Sequence, residues 1–159
     1  MLSAAVLALA FGAAPSWAGA SRAQPQKKQP LAVIMAPTTK VADISLADLA
    51  RVFRGLPTRN ADGQRYVPLN LPEGSAARMR FDRQVLGMDP EQVAQHWVDQ
   101  RIRGRAIKPK SVPSVNLATR AVAVLAGAIT YVPLNRAVGR VKVLRVDGKL
   151  PTDSGYVLR

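Results

Sequence analysis

The sequence predicts an α/β layered domain, and three observations predict it: an apolar run of strand length near the start, helices with capping signals, and an alternation of strand and helix patterns along the chain. The run is "LAVIMAP", Leu31 to Pro37, bounded by Pro30 and Pro37; apolar at every strand position, it suits a strand buried on both faces of a mostly parallel sheet. Next comes "ISLADLARVFRG", where Ser45 and Asp48 have capping-box spacing, Leu46, Leu49 and Phe53 share one face, and Gly55 stands at the C-terminal stop. A turn at Asn60 to Gly63 leads to "RYVPLNL", a strand whose Pro68 favours a position near an edge or a strand end.

From Ser75 a helix is expected to run to about Gly87, with Ala77, Phe81 and Val85 inward and Arg78, Asp82 and Arg83 outward. Asp89-Pro90 opens another, with Gln92 as reciprocal cap partner, Val93 and Trp97 on the core side, and Gly104 as its end. The two helices follow each other without a strand between them. A loop holding Pro109 and Pro113 precedes a helix from about Asn116 to Leu125, stopped at Gly127. "AITYVPL" and "VKVLRVDG" follow as strands, and "GYVLR" is a candidate short strand.

The chain has 159 residues, 48% of them hydrophobic, which suits one domain with a core. Zero cysteines exclude a disulfide framework, a thiolate metal site, a Cys nucleophile and a lipoprotein anchor. His96 is the sole imidazole, with no acids or hydroxyls gathered around it in sequence, so it reads as a surface or helix-packing residue and Trp97 as a core residue. The carboxylates sit mostly at caps and turns, which leaves a paired-carboxylate hydrolase unsupported. The expected class is non-enzymatic, without metal or cofactor.

Residues 1–20, "MLSAAVLALAFGAAPSWAGA", are apolar, too short to span a bilayer, and end in small residues, the pattern of a cleaved secretory signal and hence of a periplasmic protein. The usual N-terminal cation is missing; the first charged side chain is Arg22. Residues 21–30 read as a polar, basic tether, and residues 31–159 as the domain. Lys and Arg number 23 against 10 Asp and Glu, a formal charge of +13; Arg101, Arg103, Arg105, Lys108 and Lys110 crowd one short run, and Lys27 and Lys28 add charge in the tether. Such a surface attracts polyanions. For an exported protein these are anionic envelope surfaces; nucleic acid is disfavoured by location and by an aromatic content of only 5%.

The segment "LNLPEGSAARMRF" is the strongest candidate site. A helix N-terminus offers unpaired N–H groups and partial positive charge, Gly74 permits close approach, Ser75 brings a hydroxyl, and Ala76 and Ala77 leave room. Arg78 is a cation where the helix dipole prefers an acid, and a bound oxyanion under its guanidinium would offset the misfit. The alternative is a plain capped helix in which Ser75 caps and Glu73 pairs with Arg78 at the surface. Thr38 and Thr39, on the loop after the first strand, are further candidates, because loops at the carboxyl ends of strands line the crevice of open sheets.

The order of "LAVIMAPTTKVADISLADLARVFRG", "PEGSAARMRF", "VLGMDPEQVAQHWVDQRIRG" and "GAITYV" resembles the periplasmic phosphate-binding proteins that feed phosphate ABC importers, and more narrowly their short secreted relatives. The resemblance covers Leu31 to about Val132. It implies a type II periplasmic-binding-protein architecture, of which this chain has length for one of the two lobes, and a small oxyanion ligand, phosphate or sulfate. It also brings an importer permease or a homodimer into view as partner. Ser75 matches the family's phosphate-contacting serine. Ala76 and Ala77 stand where its glycine and threonine would be, Glu73 falls near a ligand-contacting aspartate, Leu71 replaces an arginine, and Thr130 takes the glycine position of "GAIGYV". Three or four hydrogen bonds to a charged ligand give about 8 kcal/mol gross, and association costs about 4 kcal/mol or more, so one open lobe alone would hold an anion only in the millimolar range.

Overall fold

The computed structural model describes residues 29–104 and 107–159. Along the chain run β1 (Leu31–Met35), β2 (Asp43–Ile44), α1 (Leu46–Phe53), β3 (Val67–Asn70), α2 (Ala76–Phe81), a π-helical turn (Asp82–Leu86) and α3 (Pro90–Ile102). Then come β4 (Lys110–Ser111), α4 (Val115–Val124), β5 (Ala128–Pro133), a 3-10 turn (Leu134–Arg136), β6 (Lys142–Val143) and β7 (Arg145–Val146). The segments expected to be a signal sequence and most of a tether, residues 1–28, fall outside the described residues. The backbone at Gln29 and Pro30 is fastened to the domain: Leu134 N–H donates to Pro30 O at 2.8 Å and the Arg80 guanidinium donates to Gln29 O.

One sheet has the order β4-β3-β5-β1-β6, and β2 pairs with β7 in a second, two-stranded one. The β3–β4, β3–β5 and β2–β7 pairings are parallel; β1 is antiparallel to both its neighbours, β5 and β6. The sheets are therefore mixed and mostly parallel, while the strand read as a parallel-sheet centre is the antiparallel one. Its unbroken apolar run is explained by burial alone. All five residues are buried, with Leu31, Val33 and Met35 facing the larger core and Ala32 and Ile34 facing a second one under α4. A strand covered on both faces loses the polar alternation whatever the sense of its partners.

The larger core is built on three rings. Phe81 of α2 stacks on Tyr131 of β5 at 3.7 Å between centroids, and Phe53 of α1 meets both edge-on at 4.7 and 5.6 Å. These contacts hold α1 and α2 to the same face of the sheet. The caps are those the sequence signals: Ser45 Oγ accepts from Asp48 N at 3.0 Å, and Asp89 and Gln92 form a complete reciprocal box.

Several expectations are corrected. Arg78 and Asp82 are buried, not outward. The regular helix after Ser75 has only six residues before the π-helical turn, which ends at a left-handed Gly87. "VKVLRVDG" divides between the two sheets, because Leu144 turns fully inward and its N–H donates to Val33 O at 2.9 Å. "GYVLR" adds no strand; it closes the core instead, with Leu31 N–H donating to Leu158 O at 2.8 Å and Tyr156 Oη to Leu31 O at 2.9 Å. The short strands β2 and β4 were not anticipated, since two residues carry no readable period.

Candidate functional site

The turn before α2 positions the candidate anion site. Gly74 has φ +81°, a conformation that favours glycine, and a Cβ built there would meet nothing within 4 Å, so the space beside the turn is open. Ser75 is half-buried and extended; its Oγ accepts a long 3.4 Å bond from Arg78 N, its carbonyl accepts from Met79 N at 3.0 Å, and its own N–H donates to Pro72 O at 3.2 Å. Ala76 is exposed and Ala77 half-buried. Their amides lie in the first turn, where a helix supplies no acceptor, and make no hydrogen bond among the described residues.

Arg78 does not join them. Its side chain is 4% exposed, and Nε donates to Asp82 Oδ2 at 2.6 Å, one helical turn on. Nη1 donates to Leu71 O at 3.3 Å. The Asn70 amide is satisfied on both sides when its oxygen faces the guanidinium, accepting at 2.8 and 3.2 Å, and its nitrogen donates to Tyr131 Oη at 3.0 Å. Every arm of the fork is turned inward. The guanidinium expected to reach back over the first turn is thus a buried strut between β3, α2 and the π-helical turn. The missed signal was the i,i+4 spacing of Arg78 and Asp82, which offers an internal partner for the cation. Asp82 has a pKa raised by its burial, against the opposing pull of Arg78.

The surface pairing expected between Glu73 and Arg78 is also corrected. Glu73 accepts from Lys108 Nζ at 2.9 Å, and this bond, with the charge behind it, lowers the Glu73 pKa. Glu73, Gly74, Arg78, Asp82, Arg101 and Lys108 border a cavity of about 240 Å³ between α2 and α3.

Thr38 and Thr39 lie elsewhere. Because β1 is antiparallel to β5 and β5 is parallel to β3, the loop after β1 sits at the end of the sheet where β3 and β5 begin, and Ser75 sits at the other end. A five-residue strand separates the two ends by roughly 16 Å, so the threonines and Ser75 cannot share one small anion. The carboxyl-end rule assumes strands that run together, and β1 runs against the rest. Thr39 is occupied in the structure: its Oγ1 donates to Asp62 Oδ2 at 3.2 Å and accepts from Val41 N at 3.2 Å. Thr38 is exposed.

His96 packs edge-on against Trp97 at 4.9 Å and its Nε2 lies 3.4 Å from Arg54 O, between α3 and the end of α1. Among the described residues no group of three His, Cys, Asp or Glu could hold a metal. Of the basic run, Arg101, Arg103, Lys108 and Lys110 are exposed, and Arg105 falls outside the described residues.

This arrangement, an α/β lobe with a serine-capped helix start, has the fold of periplasmic substrate-binding proteins. The solved structures it resembles include PstS from Borrelia burgdorferi, with a TM-score of 0.64 and 16% identity over 82% of this chain and 54% of that one. An ABC-type phosphate transport receptor from Vibrio cholerae gives 0.63 and 15% over 78% and 48%. A high-affinity periplasmic phosphate-binding protein, PfluDING, solved with phosphate, gives 0.51 and 18% over 76% and 37%. The chain spans about half the length of the solved proteins it matches first. No family model matches it, and no curated protein matches it in sequence.

Proposed function

We propose that the chain is an exported, non-enzymatic binding module that holds a small oxyanion, phosphate before sulfate, weakly at the Ser75 hydroxyl and the Ala76 and Ala77 amides. The supporting observation is the open turn at Gly74, beside two first-turn amides without acceptors, in a fold shared with phosphate-binding proteins. Arg78 has no part in this site, and Glu73 at its edge opposes an anion unless Lys108 stays paired to it. With the guanidinium withdrawn, two amides and a hydroxyl give an affinity no better than millimolar. A useful affinity needs a second wall, from a homodimer or a partner such as an importer permease. Calorimetric titration with phosphate and with sulfate tests the reading: weak saturable heat that falls in Ser75→Ala supports it, and no heat or stabilisation at tens of millimolar removes it.

A second reading is favoured by one observation, the exposure of Ile102 (79%) and Val98 (50%) beside the exposed Arg101 and Arg103 at the end of α3. Apolar side chains among cations suit contact with an anionic envelope surface. In that reading the lobe is a scaffold that no longer holds the small anion, and Ser75→Ala leaves its binding to anionic vesicles unchanged.

A further inference from the structure

We infer that a second cavity, at the end of β3 remote from Ser75, binds a small organic anion with an apolar body, of the class of medium-chain or aryl carboxylates and sulfonates. The cavity holds about 480 Å³, a size that suits small organic ligands. Its apolar wall is formed by Val52, Leu56, Val67, Pro68 and Ile107 with the ring of Tyr66. Leu56 and Val67 keep 41% of their surface exposed there and Ile107 keeps 81%. Apolar surface left open in a concavity marks a binding site more often than a stray exposed side chain does. Inorganic phosphate is the poorer guest, because it has no apolar body to cover these walls.

The charge around the cavity sets the sign of the ligand. Arg65, Lys108 and Lys110 line it, and no Asp or Glu does. Lys108 is neutralised by Glu73, whereas the side chains of Arg65 and Lys110 have neither an ion pair nor a hydrogen bond among the described residues. Two unanswered cations beside an apolar wall complement a molecule that is anionic at one end and apolar at the other. Tyr66 contributes its ring to the wall; its hydroxyl makes no hydrogen bond among the described residues, and burial, with the nearby charges of Asp48 and Asp62, raises its pKa.

The walls are held before any ligand arrives. Leu56 N–H donates to Arg51 O at 3.0 Å, Tyr66 N–H to Thr58 O at 3.1 Å, and Val67 N–H to Gly127 O at 2.9 Å, tying the cavity to α1 on one side and to the start of β5 on the other. A pre-formed cavity avoids the ordering cost of a collapsed one. It also favours a molecule that enters over a flat lipid surface that cannot.

The test is titration of the full chain with octanoate, octan-1-ol and inorganic phosphate, followed by amide chemical shifts and calorimetry. Octanoate is expected to bind one site about tenfold more tightly than octan-1-ol, with shifts at Leu56, Tyr66 and Val67, and tens of millimolar phosphate should not displace it. Arg65→Gln with Lys110→Gln should weaken octanoate about tenfold, as should Leu56→Asn, with thermal midpoints unchanged. Equal affinity for octan-1-ol, displacement by phosphate, or shifts confined to other residues would overturn the inference. So would variants that bind octanoate like the parent, or an effect of these variants on phosphatidylglycerol vesicles alone. If a variant fails to fold, the shift map and the octan-1-ol comparison on the parent chain still decide. Phosphate heat that falls in Ser75→Ala reports on the other site and does not bear on this one.

Discussion

At the scale of single residues, Arg78 decides most. It and Asp82 are 4% and 7% exposed and 2.6 Å apart, so removing either leaves a buried charge without its partner. Arg78→Met should cost about 3–5 kcal/mol, whereas Arg78→Met with Asp82→Leu should recover much of that loss; urea denaturation of the three proteins measures it. If Arg78 were instead a ligand group with a solvated side chain, Arg78→Met would leave stability almost unchanged. The raised pKa of Asp82 adds a pH test. An acid whose folded pKa lies above its unfolded value binds its proton more tightly when folded, so its contribution is fullest below the unfolded value near 3.8 and declines as pH rises through the folded one. The difference in stability between the parent chain and Asp82→Asn should therefore drift against the parent as pH climbs from 3.8, and the same melts read at each pH check it. Glu73 runs the other way: NMR should find it titrating below a free glutamate, and Lys108→Ala should return it to the ordinary range. Gly127 is the residue whose backbone cannot be replaced. Its φ is +73° and a Cβ would lie 2.4 Å from Arg65 O. Gly127→Ala should then lose about 2 kcal/mol or more, visible as a lower thermal midpoint.

At the scale of elements, the capped helices and long strands were legible and the short or two-sided pieces were not. Ser45, Ser75, Asp89 and Gly87 act locally, through bonds to residues within five positions, and local chemistry is what a sequence displays. The sense of β1 is set by partners about one hundred residues away, and an apolar run buried on both faces carries no mark of it. The Ser75 turn was legible as a helix start for the same local reason. Arg78 was misplaced because a cation on an apolar helix reads as outward unless its acid one turn on is given weight. Thr38 and Thr39 were misplaced through the strand sense alone. The aromatic set binds these elements together, so Phe81→Ala, which removes the ring stacked on Tyr131, should cost about 3–5 kcal/mol; a denaturation midpoint that barely moves would show the two helices held by other contacts.

At the scale of the whole molecule, the fold and the charge favour different readings, and their dependence on salt separates them. A lobe with one open helix start binds a small anion through a few short bonds, and these are screened little because they are made at contact. A surface carrying a formal charge of +13 attracts an anionic membrane through many separated charges, each contributing about 1 kcal/mol near the surface and fading beyond a Debye length of about 8 Å at physiological salt. On the second reading, adhesion to phosphatidylglycerol vesicles should fall steeply between low and physiological salt. Replacing Arg101 and Arg103 with Gln should then remove about 2 kcal/mol, near thirtyfold in apparent affinity, while Ser75→Ala changes nothing. On the first, vesicle adhesion is incidental and the phosphate heat survives added chloride. The exposed Ile102 beside those arginines adds a further distinction: Ile102→Ser should weaken vesicle binding even at high salt, where charge is screened and the apolar contact remains. Cosedimentation across a salt series reads all of these outcomes, and binding that neither falls with salt nor responds to the α3 variants would leave the small-anion site as the function of this lobe.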